Sequence, residues 1–200
     1  MIDDEKMALI DALAQNVAFD GWTVKSLRMA LSAVGRNPAE AALAFPGGRA
    51  EMIAAYFGLG DERMIAARHG QMAEAGLTKR VRAAVAERLA LMDGEKEAVR
   101  RAIAWLALPV NAPQLAKIIA RMADAVWFAA GDKAADMSWY SKRAILGAVL
   151  SATLLYWLSD SSMESEKTLA FLDRRLAGVG RFNKLKARLP RFAFAFPGHA

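Results

Sequence analysis

Apolar residues recur at helical spacing along most of the chain. From Asp3 to Phe19, Met7, Ile10, Leu13, Ala14 and Val17 share one face behind an acidic first turn. That spacing predicts an amphipathic helix, closed by the turn Phe19-Asp20-Gly21-Trp22. Thr23 is placed to cap a second helix through Leu31, with Leu27 and Leu31 inward, and Gly35 ends it. Asn37-Pro38 opens a short third helix, and Phe45-Pro46-Gly47-Gly48 breaks the chain after it. A long helix is expected from about Arg49 to about Ala75, bent near Gly58-Leu59-Gly60. Thr78 is expected to cap the next, which reaches Met92 before Asp93-Gly94. Glu95 to Ala107 follows, with Val99, Ile103 and Leu106 inward. Ala112 to Ala130 carries the stripe Leu115, Ile118, Ile119, Met122, Val126 and Trp127. A polar helix from Glu164 to about Gly178 comes last before the tail.

One stretch departs from this alternation. Ala144 to Ser159 is sixteen residues without a formal charge, in a chain that is 24% charged. Lys142 and Arg143 precede it and Asp160 follows. A helix apolar on every side needs apolar surroundings: a bilayer, a protein core or a lipid held inside the protein. A membrane span takes roughly 20 apolar residues. Sixteen residues reach only ~24 Å as helix, and Ser151, Thr153 and Ser159 dilute the run. The expectation is the central helix of a packed domain.

The 200 residues suit a single sizeable core, and the Ala- and Leu-rich composition predicts an all-α fold. With no cysteine, thiolate chemistry is excluded, and His69 and His199 are too few for a histidine-rich metal site. The acidic N-terminus MIDDEKMALIDAL has neither the form of a secretory signal nor that of an Arg-rich transit peptide, so a cytoplasmic location is expected, at the inner face of the membrane. Net charge is +6, but Arg181, Lys184, Lys186, Arg188 and Arg191 supply +5, leaving +1 for the first 180 residues. As a helix, that tail places Val179, Phe182, Leu185 and Leu189 in one stripe with Arg181, Lys184 and Arg188 opposite and Lys186 beside it. Pro190 stops the stripe, and Phe192, Phe194 and Phe196 alternate after it. The pattern fits an interfacial helix on anionic lipid. A basic tail that is disordered or lies on the body is the alternative.

The opening three helices resemble the DNA-binding head of TetR-type regulators through Thr23, Val24, Leu27, Gly35, Phe45 and Pro46. The chemistry of base reading is missing. Between Pro38 and Phe45 stand Ala39, Glu40, Ala41, Ala42, Leu43 and Ala44, with no Arg, Lys, Asn or Gln to meet a base edge. Specific DNA binding is therefore not expected. No catalytic constellation stands out either. Asp124, Asp132 and Asp136 form the nearest thing to a carboxylate cluster, without a histidine close in sequence, and no Gly-rich phosphate loop is present. The reading is a protein without enzymatic activity, metal or cofactor.

The second half supplies the more specific resemblance. ADAVWFAAGD (Ala123 to Asp132), DMSWYSKRA (Asp136 to Ala144), LLYWL (Leu154 to Leu158) and TLAFLDRRL (Thr168 to Leu176), together with FDGW and FPGG earlier, are similar to the COQ9 family of coenzyme Q biosynthesis. The resemblance implies a TetR-like helical fold, usually homodimeric, that binds isoprenoid lipid. It implies an accessory role in ubiquinone biosynthesis, presenting a quinone precursor to the di-iron demethoxyubiquinone hydroxylase, with a C-terminal helix on the membrane. Residues 1–48 would be the helix-turn-helix-like head, 49–180 the lipid-binding domain and 181–200 the membrane-contacting tail. Trp139, Tyr140, Lys142 and Arg143 would dock the hydroxylase, or Trp139 would only staple the helix start into the core. Met122, Val126, Trp127, Leu146, Val149, Leu150, Leu154 and Trp157 would line the lipid cavity, or form an ordinary core. Phe182, Lys184, Leu185, Lys186, Arg188, Leu189, Arg191, Phe192 and Phe194 would contact an anionic membrane surface.

Overall fold

The structure is a computed structural model that describes residues 3–68, 75–132 and 138–188, with side chains in the last stretch described from 141 to 178. Among these residues lie α1 (Asp4–Asp20), α2 (Val24–Ala33), α3 (Ala41–Ala44), α4 (Gly48–Arg68), α5 (Leu77–Ala90), α6 (Lys96–Leu106), α7 (Ala112–Ala129), α8 (Ser138–Ser159) and α9 (Glu166–Arg188). Short 3-10 turns at Pro38–Glu40, Asp93–Glu95, Pro109–Asn111 and Met163–Ser165 lead into α3, α6, α7 and α9. The fold is all-α, as composition and spacing predict.

Local signals set most boundaries. Asp3 caps α1 by accepting the Lys6 N–H at 2.7 Å. Thr23 caps α2 through the Ser26 N–H at 3.2 Å. Gly35, at φ 74°, lets the Arg36 N–H turn back to the Leu31 carbonyl at 2.8 Å and close α2.

Four boundaries differ from expectation. Helix α4 passes through Gly58-Leu59-Gly60 as one element and is described as far as Arg68; residues 69–74 lie outside the described residues. Thr78 does not cap α5, which begins at Leu77 without a side-chain cap. Glu164 does not start a regular helix: it and Ser165 have φ of 48° and 56° in the turn before α9. Gly178 does not end that helix, which continues to Arg188, so the polar helix and the first part of the basic tail are one element. Gly178 and Gly180 each cost a helix only about 1 kcal/mol, and α9 runs through both.

Helix α4 joins head to body. It packs on α1, α5 and α7; α8 lies on α7, and α9 on α8 and α5. One apolar core runs from Leu9 of α1 to Leu172 of α9. Gly58 and Gly60 make room for arginines. A Cβ on Gly60 would collide with the Arg88 guanidinium, and one on Gly58 would stand 3.2 Å from Arg121 Nη2. Arg88 is 2% exposed. Its Nε donates to Asp61 Oδ1 at 2.7 Å, its Nη2 to the Phe57 carbonyl at 2.9 Å and its Nη1 to Met92 Sδ at 3.1 Å. Burial pushes the Asp61 carboxyl above its ordinary range, against the pull of Arg88.

The head keeps the helix-turn-helix order without its readers. The third helix is a 3-10 turn and one short helical segment, on which Leu43 is 81% exposed. Its acid Glu40 is held by Arg36 at 2.8 Å. Lys25 of the head is held by Asp20 at 2.7 Å, and Arg49, just after it, by the Trp22 carbonyl at 2.7 Å.

Candidate functional site

The charge-free run forms most of α8, and it is two-faced. Leu146, Val149, Leu150, Thr153, Leu154 and Trp157 recur at helical spacing and are buried, Trp157 completely. Met122, Ala123 and Val126 of α7 belong to the same core. The opposite face is equally uncharged but open: Ala144 and Ala148 are exposed, and Leu155 is 57% exposed. The absence of charge is therefore not explained by the core alone.

The hydroxyls that dilute the run are absorbed by the helix itself. Ser151 Oγ donates to the Gly147 carbonyl at 2.8 Å, and Thr153 Oγ1 to the Val149 carbonyl at 2.7 Å. That is how Thr153 can be 1% exposed inside an apolar core. Gly147 permits close contact with α7, since a Cβ there would lie 2.9 Å from Ile119 Cγ2.

Charges from other helices hold both ends of α8. At its start Lys142 Nζ stands 3.5 Å from Asp132 Oδ1 and 5.9 Å from the centroid of the Trp127 ring, while Arg143 Nε pairs with Asp124 Oδ1. Its last turn has no basic residue of its own. Helix α6 supplies them: Arg100 Nη2 donates to the Leu158 carbonyl at 2.9 Å and Lys96 Nζ to the Asp160 carbonyl at 2.6 Å. Cations there meet the negative end of the helix dipole. The Asp160 carboxylate then takes four hydrogen bonds, from Ser162 N and Oγ and from Thr168 N and Oγ1, at 2.6 to 2.9 Å. Burial works to raise this carboxyl, but the hydrogen bonds to its charged form outweigh it and hold it well below the usual carboxylate range.

Two grooves flank the helix. One, of about 490 Å³, has Ile145, Ala148, Val149 and Ala152 on the α8 side and Arg174, Arg175 and Gly178 on the α9 side. Both arginines lie over the Phe171 ring, which stacks on Tyr156 at 4.6 Å. The other, of about 420 Å³, runs between α7 and α8 over Ala116, Ile119, Ala144, Gly147 and Ser151, with Arg143 at its edge. Volumes of this size suit a small organic ligand. No single helix among the described residues is long and apolar enough to cross a membrane; α6 and α7 reach the length only together, and they meet at 96°.

The crystal structure of a TetR transcriptional regulator from Nitrosomonas europaea matches this fold with a TM-score of 0.70, over 90% of this chain and 99% of that one, at 19% identity. The fold is TetR-like. A family model described as COQ9 matches residues 112–183, which span α7, α8 and most of α9. The mitochondrial ubiquinone biosynthesis protein COQ9 of Rattus norvegicus is 28% identical over 84% of this chain and 56% of its own length. The Homo sapiens protein of that name is 28% identical over 84% of this chain and 55% of its own. The COQ9-A protein of Xenopus laevis is 40% identical over 38% of this chain and 24% of its own. The chain is similar to the COQ9 family, most clearly over α7 to α9. It spans a little over half the length of the rat and human COQ9 proteins.

Within the COQ9-matched helices, the eight residues expected around a lipid stand together. Met122, Val126, Leu146, Val149, Leu150, Leu154 and Trp157 are buried in the core, and Trp127 is partly buried against it. Val149 also lines the α8–α9 groove. Lys142 and Arg143, expected to dock a partner, are engaged in the ion pairs that bind α8 to α7. Trp139 and Tyr140 lie in the first turn of α8, with side chains outside the described residues. Phe182, Lys184, Leu185, Lys186 and Arg188 lie on α9, their side chains likewise outside, and Leu189, Arg191, Phe192 and Phe194 lie beyond the described residues altogether. Asp124 and Asp132 serve ion pairs, and Asp136 is outside the described residues. Sequence reasoning missed Ile145, Ala148 and Ala152 on the open face, and Arg174 and Arg175 across the groove. The pattern offered one signal for them, a helix with no polar side.

Proposed function

We propose that this chain is a non-enzymatic accessory protein of ubiquinone biosynthesis that holds an isoprenoid quinone precursor against α8 and presents it to the di-iron hydroxylase. The observation that carries the reading is the uncharged helix with grooves on both sides, lying in the stretch that the COQ9 model matches. An uncharged open face is costly in water and suits apolar company. Mass spectrometry of the organic extract of the natively purified protein is the direct test. A quinone or polyprenyl lipid in stoichiometric amount is expected; a protein without lipid that also fails to take up a quinone would refute the reading.

In this proposal the end of α9 and the residues after it rest on anionic membrane, the region from Trp139 to Arg143 meets the hydroxylase, and the chain works as a homodimer. Deleting residues 181–200 removes +5 of charge and about two turns of α9, and leaves Leu172 and Leu176 in place. It is expected to abolish sedimentation with phosphatidylserine vesicles while far-ultraviolet circular dichroism stays helical; sedimentation equal to the full chain would remove the membrane contact. A sequence-specific DNA regulator is the less supported reading, because Leu43 and alanines stand where base readers would be.

A further inference from the structure

The two grooves beside α8 differ in charge. In the α7–α8 groove the cation at the edge, Arg143, is paired with Asp124. In the α8–α9 groove Arg174 and Arg175 stand across from Ile145, Ala148, Val149 and Ala152, and neither arginine has an acidic partner among the described residues. The acid beside them, Asp173, is held by Arg82 at 2.8 Å, and α8 brings no charge of its own from Ala144 to Ser159. The two guanidinium carbons stand 5.9 and 4.8 Å from the centroid of the Phe171 ring, which is itself stacked on Tyr156. A ring attracts a cation without cancelling its charge. Two uncompensated positive charges are thus gathered at one ring, on the edge of an apolar wall.

The groove is open to an incoming molecule. Ala148, Arg174 and Arg175 are exposed, and nothing stands within 4 Å of the place a Cβ would take on Gly178. The apolar wall from Ile145 to Ala152 runs about 10 Å along the helix, and the volume of about 490 Å³ suits one small molecule. The occupant that matches both walls has a single apolar chain and an anionic head. Guanidinium groups recognise carboxylate and phosphate through paired N–H donors. A neutral head leaves both cations uncompensated, and a cationic one is repelled.

We propose that the α8–α9 groove is a site for a single-chain anionic amphiphile, a carboxylate or a phosphate monoester, with its head on Arg174 and Arg175 and its chain along Ile145, Ala148 and Ala152. The site is separate from that of the quinone, which is neutral, and leaves the α7–α8 groove to it. The full chain is titrated by calorimetry with decanoate, decyl phosphate and decanol, each below its micellar concentration. At least one of the two anions is expected to bind about tenfold more tightly than decanol, the worth of one charged hydrogen bond. Which anion binds more tightly distinguishes a carboxylate head from a phosphate head. The double variant Arg174→Gln, Arg175→Gln is expected to bring that anion to the level of decanol. Arg28→Gln, which removes an exposed cation of the head, is expected to change nothing. In nitrogen-15 spectra the amide signals of Ala148 and Ala152 are expected to shift with that anion and to stay with acetate, which has no chain. Equal affinity for decanol and both anions, an anion affinity untouched by the double variant or equally lowered by Arg28→Gln, or unmoved Ala148 and Ala152 signals would overturn the site. Decylubiquinone is expected to bind the double variant as it binds the parent; a weakened affinity would put the quinone in this groove and overturn the assignment as well. A parent chain that takes decanoate or decyl phosphate but no decylubiquinone would leave this site standing and refute the quinone reading.

Discussion

Arg88→Leu is expected to lower stability by about 3–5 kcal/mol, the cost of breaking a buried ion pair from one side. The substitution leaves the Asp61 carboxylate in the core with its cation gone and frees the Phe57 carbonyl and Met92 sulfur that Arg88 also met. Because burial already raises the Asp61 carboxyl, removing Arg88 raises it further. The sign follows: a carboxyl whose folded pKa lies above its unfolded value favours the folded state most when protonated. The deficit of the variant should therefore shrink as the pH is lowered. Urea melts at pH 7 and pH 5 test this, and a deficit that grows on acidification would contradict it. The double variant Asp61→Leu, Arg88→Leu should recover much of the loss, as buried pairs replaced together often do. Gly60→Ala should act through the same arginine, since its Cβ would fall on the guanidinium.

Asp160→Ala is expected to cost about 2–3 kcal/mol, through the loss of four hydrogen bonds to a charged acceptor at the junction of α8 and α9. The turn it braces includes two non-glycine residues in left-handed conformation, Glu164 and Ser165. Without the carboxylate that turn has less to hold it, so amide exchange should quicken from Thr168 to Leu172. Here the pH dependence runs the other way. The Asp160 carboxyl is held below its unfolded value, so its contribution is complete above about pH 4 and is lost as the pH falls through the folded pKa. The parent chain should lose stability on that acid limb, and Asp160→Asn should show a flatter one. Parallel limbs would assign the acid sensitivity to another group.

Helix existence was legible because it rests on local patterns. Thr23, Gly35 and the apolar spacing of α1 and α7 act within a few residues, and the fold uses them as read. The misread points depend on what arrives from far along the chain. Nothing near Gly58 and Gly60 in sequence announces Arg121 and Arg88, which fill the space beside them. Gly178 looks like a stop, although α9 continues past it and Gly180 to Arg188. The resemblance carried in DMSWYSKRA and its neighbours located α7 to α9 as the stretch that matters. It did not distinguish the buried from the open side of α8, because a run without polar residues has no periodicity to read.

Gly60, Asp61 and Arg88 are expected to be inherited together. Any side chain larger than hydrogen at position 60 displaces the guanidinium, and losing the guanidinium strands the carboxylate. Single steps away from this arrangement pass through a damaged protein. Relatives should therefore keep the acid and the arginine together or lack both, and a relative with a bulky residue at the position of Gly60 should carry neither the acid nor the arginine.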